Sequence, residues 1–221
     1  MSFMAVAYVP AYLEDHATFT KDRLNGLYTA LPFLLSNILI GIPFLFLIAL
    51  LFSLVAYFLT NFSTTAAQFF MFVMWLFLDL LAAESLVVLV TSLFPNFVLS
   101  LAIVAFANGL FMSVGGFLIP LTRINAFWHY AVSYLDYQRW VFQGMMVNEL
   151  GGTRTYSCEP ACKCMYPSLN PGSCSIGGQA VLDLYGYDAR PSGTTAKWVG
   201  IMLGIIVGYR ILGWLALTFK K

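Results

Sequence analysis

Apolar residues run along this chain in four long stretches separated by short polar breaks. The first covers residues 31–59, entered through Pro32 and interrupted by Pro43, where a kink is expected. The second covers 66–93, the third 97–119 after the turn Phe94-Pro95-Asn96, and the fourth runs from Trp198 to Phe219. A membrane-spanning helix needs about 20 mostly apolar residues. All four stretches reach that length and predict spans. Residues 1–13 are also apolar but too short to cross, and with no basic leader or cleavage site they read as the end of a truncated membrane helix. Residues 14–30 then turn polar ahead of the first full span.

Residues 120–197 break the pattern. Arg123 to Leu150 is rich in Trp, Tyr and Phe yet carries His129, Asp136, Arg139 and Glu149. Aromatic residues interleaved with charges suit the headgroup boundary, which predicts one or two interfacial or re-entrant helices. Gly151 to Lys197 is rich in Gly, Pro, Ser and Cys and predicts a water-exposed loop. Residues 198–221 are the last span and its tail.

Composition agrees. Of 221 residues 60% are hydrophobic, 17% aromatic and only 10% charged, against about 45–50% apolar and about 25% charged in a soluble domain. So large an apolar surplus has to face lipid. The expected class is an all-α integral membrane protein. A net charge of +1 leaves no electrostatic basis for binding nucleic acid.

Lys21 and Arg23 precede the first full span and Lys220 and Lys221 follow the last, so an even number of crossings puts both groups on one side. The positive-inside rule makes that side, and the C-terminus, cytoplasmic. The segment 120–197 and the sequon Asn61-Phe62-Ser63 then lie outside, where Asn61 is a candidate glycosylation site.

Ser175-Ile-Gly-Gly-Gln179 is close to a nucleotide-gripping Ser-Gly-Gly-Gln, but it falls on the outer face. No lysine in the chain follows a glycine, so there is no P-loop. The stretch reads as a loop-to-helix turn.

Cys158, Cys162, Cys164 and Cys174 stand in the outer loop. Disulfides suit an oxidising compartment, and Cys-x3-Cys-x-Cys-x9-Cys gives only one pair with zinc-like spacing. Four cysteines allow three pairings, among which sequence does not choose. No metal site or acyl-transfer motif stands out elsewhere.

Asp79 and Glu84 fall inside the second span and Arg210 inside the last. Isolated, each costs about 2.5–3.5 kcal/mol on insertion scales. A charge pair between Arg210 and one of the acids is expected, with a purely structural bridge as the plain alternative. Gly200, Gly204 and Gly208 form a small-residue stripe for helix packing, within the chain or against a partner.

Residues 12–28, "YLEDHATFTKDRLNGLY", read either as a solvated connection or as a short amphipathic helix offering charges to a cytosolic partner. With the Pro-entered apolar run behind it, this stretch resembles the segment between the second and third membrane helices of ABC transporters of the G subfamily. That is the white and pleiotropic drug resistance type, and the pattern is familiar from fungal half-transporters. "AAESL" (Ala82–Leu86), "FWHYAVSYLDYQRWVFQGMMVNEL" (Phe127–Leu150) and "YRIL" (Tyr209–Leu212) extend the likeness over nearly the whole chain.

The resemblance implies the C-terminal part of an ABC-2-type membrane domain, with four full spans plus the end of a fifth. It assigns Glu14, Asp15, Phe19, Lys21, Asp22, Arg23, Asn25, Gly26 and Tyr28 to coupling with a nucleotide-binding domain, through which ATP and Mg act, since this chain holds no such domain. Asn108, Phe111 and Met112 are placed on the substrate pathway, with Phe117 and Leu118 as an outer valve; ordinary helix packing is the alternative. The implied role is export of lipids, sterols or hydrophobic compounds from the plasma membrane by a homo- or heterodimer. A truncated, non-transporting subunit that modulates full-length relatives is a second reading, and an ATP-independent channel or scaffold is a third.

Overall fold

Three of the helices close on a residue held in left-handed backbone. The computed structural model describes residues 4–62, 65–120, 123–152, 155–157, 174–187 and 194–219. In chain order these form α1 (Met4–Leu24), α2 (Ala30–Leu59), α3 (Ala66–Leu93), α4 (Phe97–Val114), a π-helical turn (Trp128–Val132), α5 (Tyr137–Leu150), strands β1 (Thr155–Ser157) and β2 (Ser175–Gly177), α6 (Gly178–Tyr185) and α7 (Thr194–Phe219). Gly26 follows α1 at φ 74°, Asn61 follows α2 at φ 53° and Gly186 follows α6 at φ 73°. All three ends close alike: after α2, Asn61 N–H donates to Phe58 O and Phe62 N–H to Tyr57 O. This Schellman closure satisfies carbonyls the helix leaves bare.

Helices α2, α3, α4 and α7 are long and apolar enough to cross a membrane. They differ in what surrounds them. In α2 only 11% of the most apolar window is buried, against 83% in α3. Leu39, Phe44 and Leu51 of α2 are exposed, an apolar surface suited to lipid or another membrane helix rather than water.

Three boundaries differ from the expected ones. Helix α1 runs unbroken through the expected change at residues 13–14, with Pro10 inside it. Polarity alone does not end a helix; the stop comes at Gly26. Helix α4 ends at Val114 rather than 119, because Gly115 and Gly116 follow it and Gly116 takes φ 93°. Helix α7 starts at Thr194, four residues before the apolar run.

The chain forms two compact units. The first holds Met1–Val55, Leu76–Leu110 and Gly200–Lys221; the second holds Ala56–Trp75 and Phe111–Val199. The first has a core of Tyr12, Phe19, Ala30, Leu34, Val88 and Leu217. In the second, Asp136 caps α5 by accepting from Gln138 N–H at 2.8 Å. The hairpin of β1 and β2 is antiparallel, with Tyr156 opposite Ile176. Strand β2 passes directly into α6, so Ser175–Gln179 is the strand-to-helix turn. Helix α6 buries Ala180 and Val181 beside Ile176, with Met146 and Leu150 of α5 packed on them.

Close approach explains Gly144: a Cβ there would lie 2.3 Å from Cε2 of the Trp75 indole. Gly200, Gly204 and Gly208 are different, since a Cβ on any of them meets nothing within 4 Å. The stripe is therefore an open face in this chain and does not mark close packing among the described residues.

Candidate functional site

The charged segment of α1 divides into two sets. Phe19 is 2% exposed and stacks on Phe33 with ring centroids 4.5 Å apart. Tyr28 donates its phenol to Asp22 Oδ2 at 2.9 Å, and that acceptor raises the phenol's pKa above its ordinary value. Arg23 reaches the other end of the chain: Nη1 donates to Leu217 O and Nη2 to Thr218 O, the latter at 3.1 Å. A guanidinium over the last carbonyls of α7 supplies donors where the helix has none and complements the negative end of its dipole. Asn25 and Gly26 form the turn.

Thus Phe19, Asp22, Arg23, Gly26 and Tyr28 hold α1, α2 and α7 to one another. Glu14, Asp15, Lys21 and Asn25 are exposed, and Leu24 and Leu27 stand out beside them, 84% and 68% exposed. What this segment offers a partner is a charged face with two apolar knobs at its end.

The intramembrane charges meet in the first unit. Arg210 Nη2 donates to Glu84 Oε1 at 2.9 Å, with the side chains 9% and 5% exposed. Arg210 Nε donates to Ser85 Oγ at 2.9 Å and Nη1 to Asn37 Oδ1 at 3.1 Å. Asn37 Nδ2 in turn donates to the Tyr8 hydroxyl at 2.9 Å. One polar network therefore joins α1, α2, α3 and α7. Gly41 of α2 makes room for it: a Cβ there would sit 3.2 Å from both Glu84 carboxylate oxygens. Asp79, the other acid, is buried at 5% exposure.

Sequence reasoning missed Tyr8, Asn37 and Ser85. A signal existed for Asn37, because an amide inside an apolar span needs a hydrogen-bonding partner.

On α4, Asn108 is fully buried in line with Ser100 and Val104. Phe111 meets Tyr137 edge-on at 5.7 Å, and Met112 is 36% exposed. Phe117 and Leu118 lie beyond the helix and are exposed, with Phe117 edge-on to Phe142 at 5.4 Å. The five residues are thus not one helical face. Asn108 is buried, Phe111 and Met112 fall in the last residues of α4, and Phe117 and Leu118 come after its end.

Arg139, buried on α5, donates to Ser133 Oγ at 2.8 Å and lies 4.8 Å from the ring centroids of both Tyr134 and Trp140. The tryptophan and tyrosine faces favour a cation where water is scarce. Nearby, burial pushes the Tyr187 phenol's pKa up.

Cys158, Cys162 and Cys164 lie outside the described residues, as does Ser63 of the sequon. Cys174 is disulfide-bonded. Asn61 is exposed in its left-handed turn, so its side chain has a conformational reason to be there apart from any glycan. No group of three or more metal-ligating side chains occurs among the described residues.

Known proteins complete the picture. Residues 1–150 match the ABC-2 type transporter family. The chain is 30% identical over 215 residues to ABC transporter G family member 11 of Arabidopsis thaliana, covering 96% of this chain and 28% of that protein. It is 28% identical over 215 residues to ABC transporter G family member 1 of Petunia hybrida, covering 96% and 31%. With ABC transporter G family member 23 of Arabidopsis thaliana it shares 30% identity over 211 residues, covering 95% and 31%. The chain spans less than a third of the length of these relatives. Four bilayer-length apolar helices, a buried charge network joining them, and a family match over residues 1–150 lead to one conclusion: this is an integral membrane chain of the ABC-2 type transporter family, homologous to plant ABC transporters of the G family.

Proposed function

We propose that this chain is the substrate-translocating part of an ATP-driven exporter of lipids, sterols or hydrophobic compounds. ATP and Mg would act at a nucleotide-binding domain that docks on α1, and transport would require a second membrane domain, identical or related. The carrying observation is that Glu14, Asp15 and Lys21 are exposed on the same helix whose Phe19 and Arg23 are locked into α2 and α7. A push on the exposed face of such a helix moves the spans with it. Export would be from the cytoplasmic side of the plasma membrane, with the C-terminus cytoplasmic and residues 120–197 outside. Asn108, Phe111 and Met112 would belong to the substrate pathway, with Phe117 and Leu118 as an outer valve. The cysteines of the outer loop would be disulfide-bonded and Asn61 glycosylated.

Site-directed crosslinking tests this. Cysteine at Lys21 should crosslink in native membranes to a cassette bearing Gly-x4-Gly-Lys-[Ser/Thr], more strongly with ATP analogue than without. A crosslink unaffected by nucleotide and accompanied by no stimulated ATPase activity would instead favour a non-transporting, modulating subunit. No crosslink to any cassette would end the proposal.

A further inference from the structure

We propose that the first unit carries a water-filled inlet that opens beside the turn between α1 and α2 and ends on the buried pair of Glu84 and Arg210. A cavity of about 720 Å³ lies among α1, α2 and α3, room for many waters at about 30 Å³ each. Its polar lining begins with Asp15 and Thr18 on α1 and Tyr28 just before α2. It continues through Ser36 and Asn37 of α2 and Tyr8 of α1 to the Glu84 carboxylate. On α2 the lining residues recur every three or four positions, the spacing of one helical face. Along that face the last polar side chain is Asn37, and beyond Gly41 the wall is apolar, with Phe44 and Ile48. Gly41 is level with Glu84, since a Cβ there would sit 3.2 Å from both carboxylate oxygens. The cavity therefore has a wet end and a dry end, and Glu84 stands where they meet.

What the wall asks of its occupant is hydrogens. The hydroxyls of Thr18 and Ser36 donate to the carbonyls of Glu14 and Phe33, and that of Tyr28 donates to Asp22. Each hydroxyl oxygen keeps a lone pair with which to accept, and the Asp15 and Glu84 carboxylates accept as well. These acceptors are spread over three helices, and Gly41 lies about 17 Å along α2 from Ala30. One polar head group reaches only a few of them. A file of waters reaches them all, each water having two hydrogens to give. A carboxylate inside a span belongs beside a partner or a water-filled cavity, and Glu84 has both. Its side chain is 5% exposed, so water meets the edge of the carboxylate while Arg210 remains its main partner. The inlet brings solvent, and any small hydrophilic solute that fits, to a network that lipid would otherwise close off.

The inlet does not depend on what the chain transports and is tested without ATP. Ser36→Cys and Ile40→Cys place a thiol on its wall, while Leu35→Cys and Leu39→Cys place one on exposed neighbours outside it. Sealed vesicles containing the full native product with one such change are treated with a small, cationic, membrane-impermeant methanethiosulfonate. The reagent is supplied on the side from which Thr29→Cys reacts, a position exposed at the foot of α2. Labelling of the parent chain is the blank, and every variant is first checked for an unchanged thermal transition. A thiol reacts as its thiolate, which forms in water and not in lipid, so the two lining positions should react at least about ten-fold faster than their neighbours. Lining thiols as slow as Leu35→Cys and Leu39→Cys, the result expected if a lipid chain fills the cavity, would overturn the proposal. Equal rates at all four positions, or reaction of the lining thiols only from the opposite side, would overturn it too.

Discussion

Arg210 on α7 and Glu84 on α3 are 126 residues apart in sequence, and their side chains meet at 2.9 Å. Neither acts alone: Arg210 also bonds Ser85 and Asn37, so its three nitrogens tie α7 to α2 and α3. In a medium that supplies no hydrogen bonds of its own, removing one partner leaves a buried charge stranded. Arg210→Met should therefore cost about 3–5 kcal/mol, read as a lowered thermal transition in detergent. Arg210→Met with Glu84→Gln should recover most of that loss. Additive losses in the double variant would show that the two residues act independently.

The α1 segment predicts a split between holding the fold and meeting a partner. Phe19→Ala removes a fully packed ring and should cost about 3–5 kcal/mol. Alanine at Glu14 or Asp15 should leave stability within about 0.5 kcal/mol, as exposed substitutions do, while weakening nucleotide-dependent crosslinking from a cysteine placed at Lys21. If those exposed positions destabilise the chain as strongly as Phe19, the division is wrong.

Gly144 predicts a steric effect. Gly144→Leu would drive atoms into Trp75 and should cost at least about 1–3 kcal/mol, the usual range for overpacking. Adding Trp75→Leu should restore part of the loss. A thermal transition unchanged by Gly144→Leu would mean the two helices do not approach there.

Asn61 separates backbone from glycan. Asn61→Gly keeps the left-handed turn after α2 and should leave stability nearly intact while abolishing any glycan-dependent shift on a gel. Asn61→Val should lose both, with a cost of about 1–2 kcal/mol for a branched residue in left-handed backbone. Equal stability of the two variants would remove the conformational role.

The spans were legible in the sequence because a run of about 20 apolar residues has few other uses, and their described ends fell within a few residues of those expected. The early end of α4 was harder to read: 97–119 is apolar throughout, but the Gly115-Gly116 pair ends the helix while hydropathy continues. Local pattern also anticipated helical structure within 123–150 and the turn at Ser175–Gln179. Tertiary partnership was not legible. Arg23 looks like a cytoplasmic charge until the chain brings the end of α7 beneath it, 194 residues away. Asn37 and Tyr8 look like tolerated polar breaks until Arg210 and each other supply their bonds. The same limit applies to Phe19, which a motif assigns to an interface and the fold buries.

ATP-dependent uptake tests the central claim most directly. Inside-out vesicles containing the native product should accumulate a hydrophobic fluorescent probe only when ATP and Mg are supplied outside. The rate should fall at least several-fold with Asp15→Lys and Lys21→Glu combined, at an unchanged thermal transition. Uptake that is the same without ATP, or indifferent to those charge reversals, would contradict a membrane domain driven through α1.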